Sequence, residues 1–126
     1  MYKVSFVVPV YNKAEYLGET LNSLVNQSLH DIEIIVINDA STDHSQDMID
    51  FYAEKDPRIK VIKFDTNSGA SEARNYGNNI ASANIICVQD ADDICLPKRA
   101  EVIYNKFDRF RNIDVVYSSF IAINEL

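Results

Sequence analysis

Three carboxylates stand within four positions at the end of one apolar segment. The segment NIICVQD at 84–90 ends on Asp90, and Asp92 and Asp93 follow it closely. Carboxylates this close repel one another unless water or a cation neutralises them, and hard divalent ions such as Mg²⁺ and Mn²⁺ prefer oxygen ligands. The spacing therefore favours a metal site, although aspartates at such a place also cap helices.

Two other apolar segments also end in polar or aromatic residues. The segment VSFVVPVYN at 4–12 finishes on Tyr11 and Asn12, and IEIIVIND at 32–39 finishes on Asp39. The residues that follow Asp39 include Ser, Thr and Asp, which are favoured N-caps of a helix. These segment ends are therefore candidates both for ligand binding and for helix capping.

One arginine stands among small and polar residues in NSGASEARNYG at 67–77. The guanidinium of Arg74 has the planar donor geometry that suits a phosphate or a base carbonyl. Taken alone, however, Arg74 is better described as an ordinary surface arginine.

The elements that must position these residues alternate between strand-like and helix-like patterns. Continuous apolar or alternating runs predict five strands, at 4–12, 32–39, 58–64, 84–90 and 114–123. Apolar residues at three- and four-residue spacing predict helices between them, at 14–28, from the caps at 41–43 to Asp56, at 70–82 and from Pro97 to about Phe110. Pro9 is expected to end the pairing of the first strand.

This alternation predicts the α/β class, with a mainly parallel sheet and helices on both faces. The charged alternation in 58–64 places that strand nearer the sheet edge than the first two. Ligands bind at the carboxyl ends of the strands in such folds. Functional residues are therefore expected just after residues 10, 38 and 89.

Length and charge restrict the class of protein further. A chain of 126 residues suits one domain, and its 12 Lys and Arg against 19 Asp and Glu give a net charge of -7, which argues against a nucleic-acid partner. The absence of a long apolar run or leader predicts a cytoplasmic chain. Cys87 and Cys95 are expected to be buried free thiols, and His30 and His44 to be surface residues.

Four ordered motifs together resemble the family 2 glycosyltransferases with the GT-A fold. The motifs are VSFVVPVYN, VINDASTD, NSGASEARNYG and QDADDICLPKR, and the resemblance runs from residue 3 to about residue 122. It implies an inverting enzyme that uses a nucleotide-diphosphate sugar, and a Rossmann-like three-layer α/β/α fold. Residues 1–126 would form the nucleotide-sugar-binding part of that domain.

The resemblance also implies roles for the residues of the first three motifs. Pro9 and Tyr11 would line the base pocket, and Arg74 would lie close to the nucleotide. Asp39 matches the residue that accepts the imide NH of uracil, which favours UDP as the nucleotide. Asp43 is expected to cap a helix, although the family also places this residue near the base.

The fourth motif supplies the remaining roles. Asp90 would contact the ribose, and Asp92 would ligate Mg²⁺ or Mn²⁺ at the diphosphate. Asp93 would lie close to the sugar or support the metal ligand.

The resemblance further implies parts that the 126 residues do not supply. A general base for the acceptor hydroxyl is expected beyond Leu126, and the acceptor-binding part is expected to be absent, with the domain truncated after the fifth strand. The acceptor would be a polysaccharide or a lipid-linked glycan, at the inner face of the membrane. An uncovered sheet edge predicts self-association into a homo-oligomer.

Three alternatives belong to other classes of function. A catalytically inactive module would use the same fold only for nucleotide binding or dimerisation. A nucleotidyltransferase would normally carry a glycine-rich phosphate loop after the first strand, and a dehydrogenase would carry GxGxxG there. Residues 9–13, PVYNK, fit neither pattern.

Overall fold

A computed structural model describes residues 1–123 of the chain and shows strands and helices that alternate. The strands are β1 (Val4–Val10), β2 (Ile32–Asn38), β3 (Ile59–Lys63) and β4 (Ile85–Val88). The helices are α1 (Ala14–Val25), α2 (Ser45–Lys55), α3 (Ala70–Ile80) and α4 (Arg99–Arg109). The four strands form one parallel sheet in the order β3-β2-β1-β4. The predicted α/β class is confirmed.

Helices cover both faces of the sheet, as the sequence predicts. Apolar residues of α1, α2 and α4 pack on one face with β1 and β2, and α3 packs on the other. Every residue of β2 is buried for this reason, whereas Lys60 and Lys63 of β3, at the sheet edge, are exposed. The core therefore lies on both sides of the two central strands.

Pro9 does not end the pairing of β1, contrary to expectation. It pairs with Ile37 of β2, and the ladder continues to Val10. The Val7 carbonyl accepts from Gln89 N–H on the β4 side, and residues two apart along a strand face the same way. The Pro9 nitrogen therefore faces the β4 side, where the ladder has already ended at Val88, so no ladder hydrogen bond is lost.

The prediction of a fifth strand at 114–123 is wrong. These residues have no regular secondary structure, and their large apolar side chains are exposed, for example Tyr117 at 93% and Phe120 at 90%. A strand needs a neighbour for its backbone groups, and within residues 1–123 the ladder of β4 is shared only with β1. The sheet that the structure describes therefore has four strands, and its β4 edge is unpaired.

The thiols and imidazoles lie where the sequence places them. Cys87 and Cys95 are buried and free, and burial raises the pKa of the Cys87 thiol to about 11, so it stays protonated at neutral pH. His30 and His44 are exposed. Within residues 1–123, the helices are all too short or too polar to cross a membrane.

Gly77 sets the distance between α3 and the sheet. A Cβ atom at this position would lie 2.4 Å from Val7 Cγ1 and 2.9 Å from Ile37 Cδ1, and both neighbours are fully buried. Gly77→Ala is therefore expected to lower the free energy of unfolding by about 2 kcal/mol through overpacking. Urea unfolding followed by circular dichroism measures the change.

Gly18→Ala is the matched control. Its Cβ would make ordinary contact, 3.5 Å from Met48 Sδ, and alanine in a helix interior is more stable than glycine by roughly 0.5–1 kcal/mol. If both variants change the free energy of unfolding equally, the claim that Gly77 allows α3 to pack closely on the sheet is contradicted.

Candidate functional site

The carboxyl ends of β1, β2 and β4 and the start of α3 surround one cleft of about 410 Å³. From β1 the chain adds β2 and β3 on one side of the sheet, and it then returns to place β4 on the other side of β1. Ligands bind at such a reversal of strand order in open α/β sheets. The lining residues come from four separate segments: Pro9, Val10, Tyr11 and Lys13; Asp39; Asn67, Gly69, Ala70 and Arg74; Asp90, Ala91 and Asp92.

Most of the site residues predicted from the sequence meet in this cleft. Pro9, Tyr11, Asp39, Arg74, Asp90 and Asp92 all line it. Asp93 is exposed and is not among the lining residues. Its role near the sugar remains a prediction.

Asp39 is a buried carboxylate that holds the loop before α3. It is 2% exposed, and it accepts hydrogen bonds from Ser68 N–H at 2.7 Å, Gly69 N–H at 2.8 Å and Asn67 Nδ2 at 3.1 Å. A carboxylate offers about four acceptor positions, so one remains for a donor on a ligand. Asp39 therefore fixes the loop in addition to any contact with a base.

Asn12 joins the loop after β1 to the loop after β2. Its Oδ1 accepts from Thr42 N–H at 2.8 Å and Asp43 N–H at 3.3 Å, and its own N–H donates to Ser41 Oγ at 3.0 Å. Its φ of 51° is in the left-handed region, which asparagine tolerates better than most residues. This contact holds the neighbouring Tyr11 at the mouth of the cleft.

Asp43 caps two helices at once, which extends the single cap predicted. Its Oδ2 accepts from Ala14 N–H at 3.1 Å and its Oδ1 from Ser45 N–H at 2.9 Å, the first residues of α1 and α2. Slight burial raises the pKa of this carboxyl, but hydrogen bonds from Ser45 and Ala14 lower it more. The ionised form is therefore favoured, as suits a carboxylate at two helix N-termini.

The loop after β4 is held by contacts within itself and with α1. The Gln89 side chain donates to the carbonyls of Asp90 at 3.2 Å and Asp93 at 2.9 Å, and Thr20 Oγ1 donates to the Ala91 carbonyl at 2.9 Å. These bonds fix the backbone on either side of Asp92. Asp90 and Asp92 are thereby presented on a rigid loop.

Two ion pairs span the cleft. Lys13 Nζ lies 2.6 Å from Asp92 Oδ2, and Arg74 Nη2 lies 2.9 Å from Asp90 Oδ1. With Asp39, the lining contains three carboxylates and two cations, which leaves an excess of one negative charge. An anionic ligand would therefore need an additional cation to bind well.

Lys13 and Asn67 are site residues that the sequence analysis did not select. Lys13 directly follows the first motif, and its ammonium reaches a loop 79 residues further along the chain. Asn67 opens the third motif and its side chain lies against Asp39. The sequence signal that could have identified them is their position beside a strand end and a turn.

The donor atoms of the cleft fit Mg²⁺ or Mn²⁺ in kind. Asp90 and Asp92 supply hard carboxylate oxygens. In the part of the chain from residue 1 to 123, however, no group of three or more His, Cys, Asp or Glu converges to hold an ion. Most ligands of a metal here would therefore come from a bound diphosphate and water.

The chain closely matches solved structures of glycosyltransferases with the GT-A fold. The chain matches S. aureus TarS 1-349 in complex with UDP-GlcNAc at 31% identity and a TM-score of 0.79, over 85% of this chain and 31% of that one. It matches the mannosyltransferase PcManGT of Pyrobaculum calidifontis, in complex with GDP-Man and Mn²⁺, at 26% identity and a TM-score of 0.72, over 82% of this chain and 32% of that one.

Sequence comparison gives the same grouping. The chain is 33% identical to the glycosyltransferase GlyG of Streptococcus pneumoniae over 122 residues, which is 97% of this chain but 40% of GlyG. It therefore spans less than half the length of this relative. The model of glycosyl transferase family 2 matches residues 5–125. The chain belongs to glycosyl transferase family 2.

Proposed function

We propose that residues 1–126 form the donor-binding part of an inverting glycosyltransferase that uses a UDP-sugar and Mg²⁺ or Mn²⁺. The observation that carries the proposal is the single cleft in which Tyr11, Asp39, Arg74, Asp90 and Asp92 meet. Complexes of TarS with UDP-GlcNAc and of PcManGT with GDP-Man and Mn²⁺ support the ligand class.

The nucleoside half of the ligand is assigned to residues that follow β1, β2 and β4. Tyr11 is 47% exposed at the cleft, so its ring can stack on a base. Asp39 has one acceptor position free for an imide N–H. Asp90 is assigned to the ribose hydroxyls, because a carboxylate accepts hydrogen bonds from hydroxyl groups.

The diphosphate half is assigned to Arg74 and Asp92. Arg74 lines the cleft and its Nη2 donates to Asp90 there, so its guanidinium lies where it can bind a phosphate oxygen. Asp92 would hold the metal. The cation would neutralise diphosphate charge and assist departure of the nucleotide as a Lewis acid.

The transfer step needs a group outside the described residues. Inversion requires a base to deprotonate the acceptor hydroxyl, and we assign this base to a position beyond Leu126. We further propose transfer of a hexosyl group to a polysaccharide or lipid-linked acceptor on the cytoplasmic side of the membrane. The identity of the sugar depends on residues around Asp93 and beyond.

Binding of UDP with and without Mn²⁺ tests the proposal by calorimetry. We expect Mn²⁺ to strengthen binding roughly tenfold or more, since it offsets the negative charge of both cleft and ligand. Asp92→Ala should abolish this metal dependence. The control Asp108→Ala removes the same charge from an exposed position near the end of α4 and should bind as the wild type does.

No UDP binding by the folded wild type in either condition would overturn the donor-binding proposal. Equal metal dependence in Asp92→Ala and Asp108→Ala would overturn only the metal assignment. The two results are separable because the wild-type titration precedes the comparison of variants.

A second candidate function is dimerisation without catalysis. It is favoured by exposed apolar side chains. Ile86 and Val88 are exposed on β4 at the unpaired edge, and Val115, Tyr117 and Ile121 are exposed in the segment after α4. Light scattering during size-exclusion chromatography distinguishes a concentration-dependent dimer from a monomer. A monomer that binds UDP would contradict the dimerisation function and support the donor-binding proposal.

A further inference from the structure

Lys13 places a positive charge on the carboxylate assigned to the metal. Its Nζ lies 2.6 Å from Asp92 Oδ2, and both side chains are 39% exposed. The two residues belong to different loops, after β1 and after β4. The pair therefore bridges the mouth of the cleft beside the place assigned to the diphosphate.

The backbone of Lys13 is fixed by hydrogen bonds at both its N–H and its carbonyl, whereas its ammonium pairs with Asp92. The Lys13 N–H donates to Ser45 Oγ at 3.0 Å, and its carbonyl accepts from Leu17 N–H at 2.9 Å at the start of α1. The ammonium, in contrast, is held by one half-exposed ion pair, and such pairs contribute little to stability. The ammonium can therefore leave Asp92 without disturbing the loop.

A divalent cation at Asp92 would lie close to the ammonium that already pairs with Asp92 Oδ2. Both are positive, so they repel each other and compete for the charge of one carboxylate. A metal that binds Asp92 therefore weakens the pair with Lys13 and favours its release. A bound diphosphate beside Asp92 would offer the displaced ammonium new anionic oxygens.

We propose that the Lys13 ammonium moves from Asp92 to the donor diphosphate when the metal binds. In the free protein its ammonium neutralises Asp92 and competes with the metal. In the complex the same ammonium pairs with a phosphate oxygen of the nucleoside diphosphate. The inference rests on the proposed function, because it requires a metal at Asp92 and a diphosphate in the cleft.

Lys13→Met separates the two halves of this exchange. Mn²⁺ alone should bind the variant roughly threefold more tightly than the wild type, because a competing cation is gone. UDP at saturating Mn²⁺ should bind on the order of tenfold more weakly, because one charge-assisted contact is lost. Electron paramagnetic resonance of free Mn²⁺ measures the first constant, and calorimetry measures the second.

Lys55→Met is the matched control. Lys55 ends α2, where its Nζ lies over the ring of Phe51, outside the residues that line the cleft. It changes the net charge by the same amount, so it reports any general electrostatic effect on Mn²⁺ or UDP. Circular dichroism establishes that both variants are folded.

The exchange predicts opposite shifts in Lys13→Met and neither shift in Lys55→Met. Absence of either shift, or the same shift in both variants, overturns the role of Lys13. Weaker binding of both Mn²⁺ and UDP would mean that Lys13 merely supports the loop, and also overturns it. If the wild type binds no UDP, the proposed function fails, and this inference fails with it.

Discussion

Asp39→Asn is expected to lower the free energy of unfolding by about 3 kcal/mol and to weaken UDP binding by roughly fiftyfold. The buried carboxylate accepts from two backbone N–H groups, of Ser68 and Gly69, and from Asn67 Nδ2. An asparagine offers one oxygen, and its NH₂ group would face a donor. A buried donor without a partner costs about 1–3 kcal/mol, and the loosened loop leads directly into α3 and Arg74.

Urea unfolding and UDP calorimetry with Mn²⁺ measure the two effects. Asn67→Ala is the control, because it removes one side-chain donor and leaves the carboxylate bonded to Ser68 and Gly69; we expect a loss near 1 kcal/mol. Reduced affinity with unchanged stability in Asp39→Asn would contradict the anchoring role. That result would favour direct contact with the base as the main role of Asp39.

The sequence could predict the fold class and the position of the cleft because both depend on local patterns. Buried strands are recognised from runs such as that of β2, and parallel βαβ units bring strand ends to one edge. Polar residues at those ends must then lie close together. Tyr11, Asp39 and Asp90 meet in the cleft for this reason.

Long-range partners could not be predicted in this way. The apolar residues of 114–123 have the pattern of a strand, but pairing depends on a neighbouring backbone that a pattern does not reveal. The residue type of Asp39 and its place at a strand end indicate a ligand contact. Its hydrogen bonds to Ser68 and Gly69 depend on the folded structure and do not show in the sequence. The ion pair between Lys13 and Asp92 likewise depends on the folded structure and does not show in the sequence.

Glu33 is a second buried carboxylate, at the end of the sheet opposite the cleft. It is 2% exposed and accepts from Ser5 Oγ at 2.7 Å, from Ser82 N–H and Oγ at 2.9 Å each, and from Lys60 Nζ at 3.1 Å. Burial raises the pKa of this carboxyl, but the hydrogen bonds from Ser82, Ser5 and Lys60 outweigh burial. The pKa falls from 4.5 to about 2.

Glu33→Gln is expected to lower the free energy of unfolding by about 3 kcal/mol at pH 7. Since the pKa is lower in the folded protein, the ionised carboxylate stabilises fully above pH 4.5, and this contribution is lost as the pH falls towards about 2. The difference between wild type and variant should therefore narrow by about 2 kcal/mol between pH 7 and pH 3. Urea unfolding at both pH values measures it, with Glu54→Gln, an exposed position on α2, as the control. A difference that is independent of pH would contradict a carboxylate ionised in the folded state, and would leave hydrogen-bond geometry as the reason for any loss.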